Sequence, residues 1–276
     1  MTALATKRQP TARGATRFLR SPKGQLLLVL APMAILGAVA ANLPHAAANI
    51  ASALLAAALV DVCLALWTRD EWIFPSGALL TGLIVAMVLS PVEAPAVAAF
   101  TSAIAIGTKY IFRTRWSNIF NPAALALVVS YQVFGSEQSW WGALPDLPVQ
   151  TVIVLVVAGA YIADRTNKLP MVLVFLGAFF GLFTVTALLS DPARVFEVFR
   201  PPDVNSALFF AFFMLDDPPT SPVRYPDQVA FGLLAAVASY AVFVTVGAVY
   251  YLPAGVLFAN AWESSRRVIE HNKRRA

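Results

Sequence analysis

Two adjacent carboxylates, Asp216 and Asp217, follow directly on the apolar run Ala207 to Leu215 and are followed by Pro218, Pro219 and Pro222. Prolines end a helix because they lack the amide donor and crowd the carbonyl one turn back. Carboxylates at the end of an apolar helix need water, a cation or a polar ligand. The segment Phe213-Met214-Leu215-Asp216-Asp217-Pro218-Pro219-Thr220-Ser221-Pro222 therefore marks a place where something polar binds or passes.

Three further sites carry polar groups into apolar surroundings. Asp61 lies in the middle of Ala56–Leu64, where a carboxylate is costly unless protonated, paired or hydrated. It reads as a cation- or proton-handling group or one half of a buried pair. The alternative is a protonated Asp that hydrogen-bonds a neighbouring helix. Lys109 is its nearest candidate partner by predicted depth. Asn121-Pro122 reads as an N-cap followed by proline in the first turn. The free amides and positive dipole end of such a helix suit an anionic or carbonyl-bearing ligand, and a cap without ligand is the other reading. Ser76-Gly77 after Pro75 reads as a similar start.

Cys63 is the single cysteine, so no disulfide forms within the chain and no metal site is built from cysteines alone. It reads as a small packing residue. His45 and His271 lie far apart and outside the apolar runs, without ligand spacing. Trp140-Trp141, in a loop between apolar runs, reads as an interface anchor. There is no phosphate loop after a strand, no Ser-His-Asp pattern and no nucleic-acid module.

The elements that hold these residues are membrane helices. The chain has 276 residues, 59% hydrophobic and 13% charged, against about 25% charged in soluble domains. The fold class is all-α and polytopic in the lipid bilayer. Ten apolar segments are predicted near 24–43, 49–67, 75–91, 95–112, 118–134, 149–163, 169–189, 204–215, 227–250 and 252–264. With the N-terminus inside, only Arg194 and Arg200 of the 20 Lys and Arg fall outside, as the positive-inside rule requires. Both termini are then cytoplasmic, in an inner (cytoplasmic) membrane. Basic tails at 1–23 and 266–276 flank a transmembrane domain over 24–265, and they read as lipid-facing rather than nucleic-acid-binding. The first run has some features of a signal peptide, with Ala46-Ala47-Ala48 behind it, but this topology uses it as a span.

The two halves resemble each other. Ser76-Gly77-Ala78-Leu79 aligns with Asn205-Ser206-Ala207-Leu208, and the short runs they open stop at Ser90–Pro95 and Asp217–Pro222. Five spans per half (about 24–134 and 149–265) would make an inverted repeat, which places a site where the interrupted helices meet.

Together these residues resemble the NqrB/RnfD family, the membrane subunits of the sodium-pumping NADH:quinone reductase and of the Rnf electron-transport complex. The resemblance rests on Pro75 to Pro91, on Lys109-Tyr110-Ile111-Phe112, on Asn118-Ile119-Phe120-Asn121-Pro122-Ala123-Ala124 and on Phe213-Met214 with Asp217-Pro218 and Ser221. Asp61 falls where members carry an intramembrane Glu, and Asn260 matches an Asn in the last helix. The resemblance implies a ten-helix inverted repeat, flavin binding and electron transfer coupled to cation movement, with other redox subunits as partners. It implies cofactor contacts from Ser76, Gly77, Lys109, Asn118, Asn121, Pro122, Asp217, Pro218 and Ser221, and an ion pathway through Asp61, Asp217 and Asn260.

Two departures bear on this. Members of the pumping complexes attach FMN to a Thr in a Ser-Gly-Ala-Thr motif, and the corresponding Gly135–Pro145 contains no Thr. The expected cofactor is therefore riboflavin or FMN held non-covalently. Arg267 stands near a position where relatives often carry a carboxylate. The chain is similar to short, stand-alone proteins of this type linked with enediyne biosynthesis clusters. Two other readings stay open: a cofactor-free channel or carrier, and a membrane partner without chemistry of its own. If an enzyme at all, the chain is at most a redox subunit.

Overall fold

Apolar sequence with few charges folds into helices whose backbone groups are satisfied internally. The computed structural model describes residues 18–40, 44–69, 74–114, 117–189 and 195–273. Most of the basic N-terminal tail, Arg115, Arg194, Arg274 and Arg275 lie outside them. The described residues form ten α-helices: α1 (Pro22–Ala40), α2 (Ala46–Arg69), α3 (Ser76–Val88), α4 (Pro95–Ile111), α5 (Pro122–Phe134), α6 (Gln150–Arg165), α7 (Leu169–Leu189), α8 (Asp203–Phe213), α9 (Tyr225–Val246) and α10 (Tyr251–Lys273). Among them there is no strand beyond two isolated bridges.

Length sorts these helices. α1, α2, α7 and α9 are long and apolar enough to cross a membrane. α3 and α5 have 13 residues and α8 has 11. At 1.5 Å per residue, 13 residues span roughly 20 Å, short of the ~30 Å hydrocarbon core. The short helices are the buried ones. Every residue of α8 from Asn205 to Phe213 is buried. The long helices carry the exterior, where Leu188 and Trp67 stand 79% and 84% exposed. A soluble protein hides such side chains, and here they form a lipid-facing surface. Inside, Phe175, Phe179 and Phe183 run at four-residue spacing along one side of α7. Phe175 packs on Phe210 of α8 with ring centroids 5.3 Å apart, and Phe183 meets Phe243 of α9 at 5.0 Å.

A short helix at membrane depth leaves its last carbonyls to be satisfied by something else. For α3 the partner is the loop after α5. Trp141 Nε1 donates to Ala86 O at 2.8 Å, and the amides of Ser139 and Trp140 donate to Val88 O at 3.0 and 3.1 Å. Trp140 and Trp141 are 5% and 4% exposed, so the expectation of an interface anchor is corrected. The indoles fill the space beyond the end of α3, where an otherwise orphaned carbonyl recruits an indole N–H.

Close helix contact depends on glycine at one place above all. A Cβ on Gly255 of α10 would lie 1.9 Å from Ser239 Oγ and 2.6 Å from Ala235 O of α9. The second atom is backbone and cannot rotate away. Gly255→Ala is expected to lower the thermal unfolding midpoint in detergent by an amount equivalent to roughly 1–3 kcal/mol. Gly107→Ala on α4, where a Cβ meets nothing within 4 Å, is expected to leave it unchanged or raise it. Equal melting of the two variants would refute this packing account.

Candidate functional site

The starts of α1, α3 and α5 and the ends of α4, α6 and α8 meet at one side of the bundle, around a cavity of about 590 Å³. That volume lies in the range of cofactor sites, roughly 300–1,000 Å³. Each helix enters by its own local rule. Ser21 Oγ accepts from Gly24 N at 3.2 Å and opens α1 before Pro22. Asn121 caps α5, its Oδ1 accepting from Ala124 N at 3.0 Å, with Pro122 in the first turn. The prolines after Asp217 keep α8 from continuing.

The cavity brings together most of the residues expected to contact a cofactor. Gly77, Lys109, Asn118, Asn121, Pro122, Asp217 and Pro218 all line it. Ser76 and Ser221 are not on its wall. Ser221 is fully buried behind it, and its Oγ donates to Asp217 O at 2.8 Å. The amide of Asn121 is already committed, since Nδ2 donates to Met214 O at 2.9 Å while Oδ1 caps α5. Asn121 thus joins the two helix breaks, with Ala124 N and Leu125 N both bonded to it, and Asn118 stands beside it on the cavity wall.

The three residues expected on an ion pathway stand at different places in the fold. Asp217 lines the cavity, and its Oδ2 accepts from Thr220 Oγ1 at 2.9 Å. Asn260 is fully buried behind the wall. Its Oδ1 accepts from Asn121 N at 2.8 Å, and its Nδ2 donates to Thr220 O at 3.2 Å. Asp61 sits apart on α2. Its expected partner was Lys109, but Tyr110 OH donates to its Oδ1 at 3.1 Å. Lys109 Nζ donates instead to Gly77 O and Thr81 Oγ1, at 3.1 and 3.0 Å. Consecutive residues at the end of a helix point to different sides, so Tyr110 turns to α2 and Lys109 to α3.

The turn after α8 is held by two cations: Arg267, noted in the sequence only as a departure from the family pattern, and Lys168, which the sequence did not single out. Lys168, at the start of α7, donates to Ser221 O and Pro222 O. Arg267 donates to Ser117 Oγ at 2.7 Å, Pro219 O at 3.1 Å and Ser221 O at 2.8 Å. Glu263, 1% exposed, pairs with Arg267 at 2.6 Å and with Arg266 at 2.8 Å. The segment read as a basic tail is helical to Lys273, and Arg267 reaches back from it into the fold. The spacing Glu263-Arg266-Arg267, one turn apart on a helix, was the signal that could have found this cluster. Nothing in the local sequence marks Lys168 as a carbonyl clamp.

Electrostatics follow from burial. Asp216 is 5% exposed. Burial, reinforced by adjacent Asp217, pushes its carboxyl well above the usual carboxylate range, against the pull of Lys168. Burial, then the positive charge of Arg267, pushes the Lys168 ammonium down to about 8.

Two predictions test the clamp. Asn260→Leu leaves the Asn121 amide and Thr220 carbonyl without this partner, each costing about 1–3 kcal/mol. It is expected to destabilise the detergent-solubilised protein clearly more than Ser265→Ala on the exposed side of α10; matching midpoints would refute the bridging role. For Lys168, the folded protein releases its proton near 8 and the unfolded chain near 10.5. Between those values the unfolded chain holds more protons, so stability rises with pH. Wild type is expected to gain thermal stability relative to Lys168→Met as pH rises through this window, and a constant offset would show that Lys168 is not buried as described.

Residues 6–150, just over half of the chain, match the model of the NQR2, RnfD, RnfE family. The match contains Gly77, Lys109, Asn118 and Asn121, while Asp217 and Asn260 lie beyond it. No curated protein matches the chain. An all-helical chain with a lipid-facing exterior and this family match has one consistent reading: it is a multi-pass membrane protein that belongs to the NQR2, RnfD, RnfE family.

Proposed function

We propose that the chain is an electron-transport membrane subunit that holds a flavin non-covalently in the cavity between the starts of α3 and α5 and the end of α8. The observation that carries this reading is the convergence of Gly77, Lys109, Asn118 and Asp217, from separate parts of the sequence, on one cavity of cofactor size. A flavin offers a planar apolar ring with carbonyl and N–H groups along one edge. The cavity offers Phe213, Met214 and Ile84 for the ring and Asn118 and Asp217 for the edge. Non-covalent binding is supported by the loop after α5. It has no Thr, and its Ser136 is fully buried against Ser130, with 2.8 Å between the hydroxyls.

The same proposal includes ten crossings in two inverted halves, termini cytoplasmic, in the inner membrane. Alternate ends of successive helices gather at the cavity face, together with Lys23, Lys109, Lys168 and Arg267. α2 packs on α4 as α7 packs on α9. Each Ser-Pro break is met by a side chain from the start of the preceding long helix. Asn49 donates to Pro91 O and Glu93 O at 3.1 Å, and Lys168 donates to Ser221 O and Pro222 O. For cation movement the reading assigns Asp61, linked towards the cavity wall through Tyr110, the neighbour of Lys109.

Protein purified from flavin-replete cells is expected to be yellow, to bleach with dithionite and to release flavin on denaturation without proteolysis. Asp217→Asn is expected to retain less flavin. Asp61→Asn should keep the flavin and lose any cation dependence of its reduction. A colourless preparation with no extractable flavin would sink the proposal.

A further inference from the structure

Asp216 is buried on the cavity wall, 5% exposed, and no ion pair includes it among the described residues. The cations around it are bonded elsewhere. Lys168 and Arg267 donate to the carbonyls of the turn, Arg267 also to Glu263, and Lys109 on α4 donates to Gly77 O and Thr81 Oγ1. Lys23 lines the same cavity and is exposed, as are Asp164 and Arg165 at the end of α6. Asp217 adds a second carboxyl next in the chain, and neighbouring carboxyls oppose each other's ionisation. Burial and Asp217 outweigh the pull of Lys168.

The geometry at Thr166 says where the proton sits. Asp216 Oδ2 and Thr166 Oγ1 are 3.5 Å apart. Thr166 has a single O–H, and the carbonyls of Ile162 and Ala163, both 3.1 Å from its Oγ1, can only accept it. A threonine that bonds back to its own helix has lone pairs, not a proton, left for Asp216. A carboxylate oxygen would repel those lone pairs, whereas a carboxylic acid donates to them. Asp217 is the reverse case, since its Oδ2 accepts from Thr220 Oγ1 at 2.9 Å.

We propose that Asp216 is a proton-binding site on the cavity wall, a neutral carboxylic acid whose Oδ2–H faces Thr166 Oγ1 and exchanges with the contents of the cavity. At 3.5 Å the bond to Thr166 is weak, so the proton can turn to a better acceptor, such as a carbonyl oxygen or ring nitrogen of a ligand. A ligand that brings negative charge tightens the hold on the proton, and one that brings positive charge releases it. The resemblance to the family rests on Asp217 and not on Asp216. The inference goes beyond the flavin reading and does not need it, because the groups that hold the proton all belong to the chain.

The test is infrared spectroscopy of the detergent-purified full chain, without added ligand, over a pH series in light and heavy water. An ordinary aspartate, with a value of about 3.9, is ionised at neutral pH. Here the carbonyl band of a protonated carboxylic acid is expected at neutral pH, fading as the pH is raised. It should shift in heavy water and disappear in Asp216→Asn. In Asp217→Asn it should remain and titrate at lower pH, because a negative neighbour is gone. Asparagine keeps the shape of the neutral acid and an N–H for Thr166, so Asp216→Asn is expected to melt no lower than wild type at neutral pH. The folded chain holds a proton that the unfolded chain has lost, so wild type should lose stability relative to Asp216→Asn as pH rises through the midpoint of the band. The wild-type titration reads out even if a variant fails to fold. A wild type without the band at neutral pH, or a band of full strength in Asp216→Asn, would overturn the proposal. A band indifferent to heavy water would seal the proton off from the cavity and overturn it as well. A preparation without flavin would sink the flavin reading and leave this one standing.

Discussion

The structure depends on how the backbone after α8 is satisfied. Helix α8 stops at Phe213, and the chain turns through Asp216–Pro222, where Asp216, Thr220 and Ser221 are buried and Pro218 and Pro219 are exposed. A non-helical backbone at that depth is tolerated only where protein or a cavity meets each polar group. Four side chains from three parts of the sequence do so. Asn121 takes Met214 O, Asn260 takes Thr220 O, Lys168 takes Ser221 O and Pro222 O, and Arg267 takes Pro219 O and Ser221 O. The turn is thereby fixed to α5, α7 and α10 at once, and the wall that carries Asp217 is fixed with it.

The clamp also sets the charge of the site. Arg267 and Lys168 are drawn to carbonyls, and Glu263 balances the arginines from a buried position. The cavity is left with carboxylates on the α8 side, and with lysines and helix starts on the α3 side. The Arg267 departure from the family pattern has its physical reason here, because a carboxylate at this position could not donate to Pro219 O or Ser221 O.

The break at the opposite end of the molecule is met by the same physics with different residues. The last carbonyls of α3 are covered by indole and backbone N–H groups from the loop after α5, and Asn49 serves Pro91 and Glu93. No cation is used there among the described residues, and the large cavity is not lined by that loop. Two breaks of similar sequence therefore differ in consequence: one is filled by tryptophan, the other opens on a ligand-sized space.

The helix order, the short length of α3 and α8, the proline-ended breaks and the Asn121 cap were all legible in the chain. Each rests on neighbouring residues: an apolar run, a proline that cannot donate, an asparagine three residues before the amide it accepts from. Gly77, Lys109, Asn118 and Asp217 could be named for the same cavity only through motif spacing, because no local rule brings residues so distant in sequence together. Partner choice was not legible. Tyr110 rather than Lys109 meets Asp61, and Trp140 and Trp141 face the core rather than the membrane interface. Lys168, Glu263 and Arg267 act on a turn tens of residues away. The sequence by itself determined where helices run and where they must stop, since hydrogen bonding and proline sterics are local. Only the tertiary structure decided which side chains satisfy the stopped ends, since that depends on which helices pack side by side.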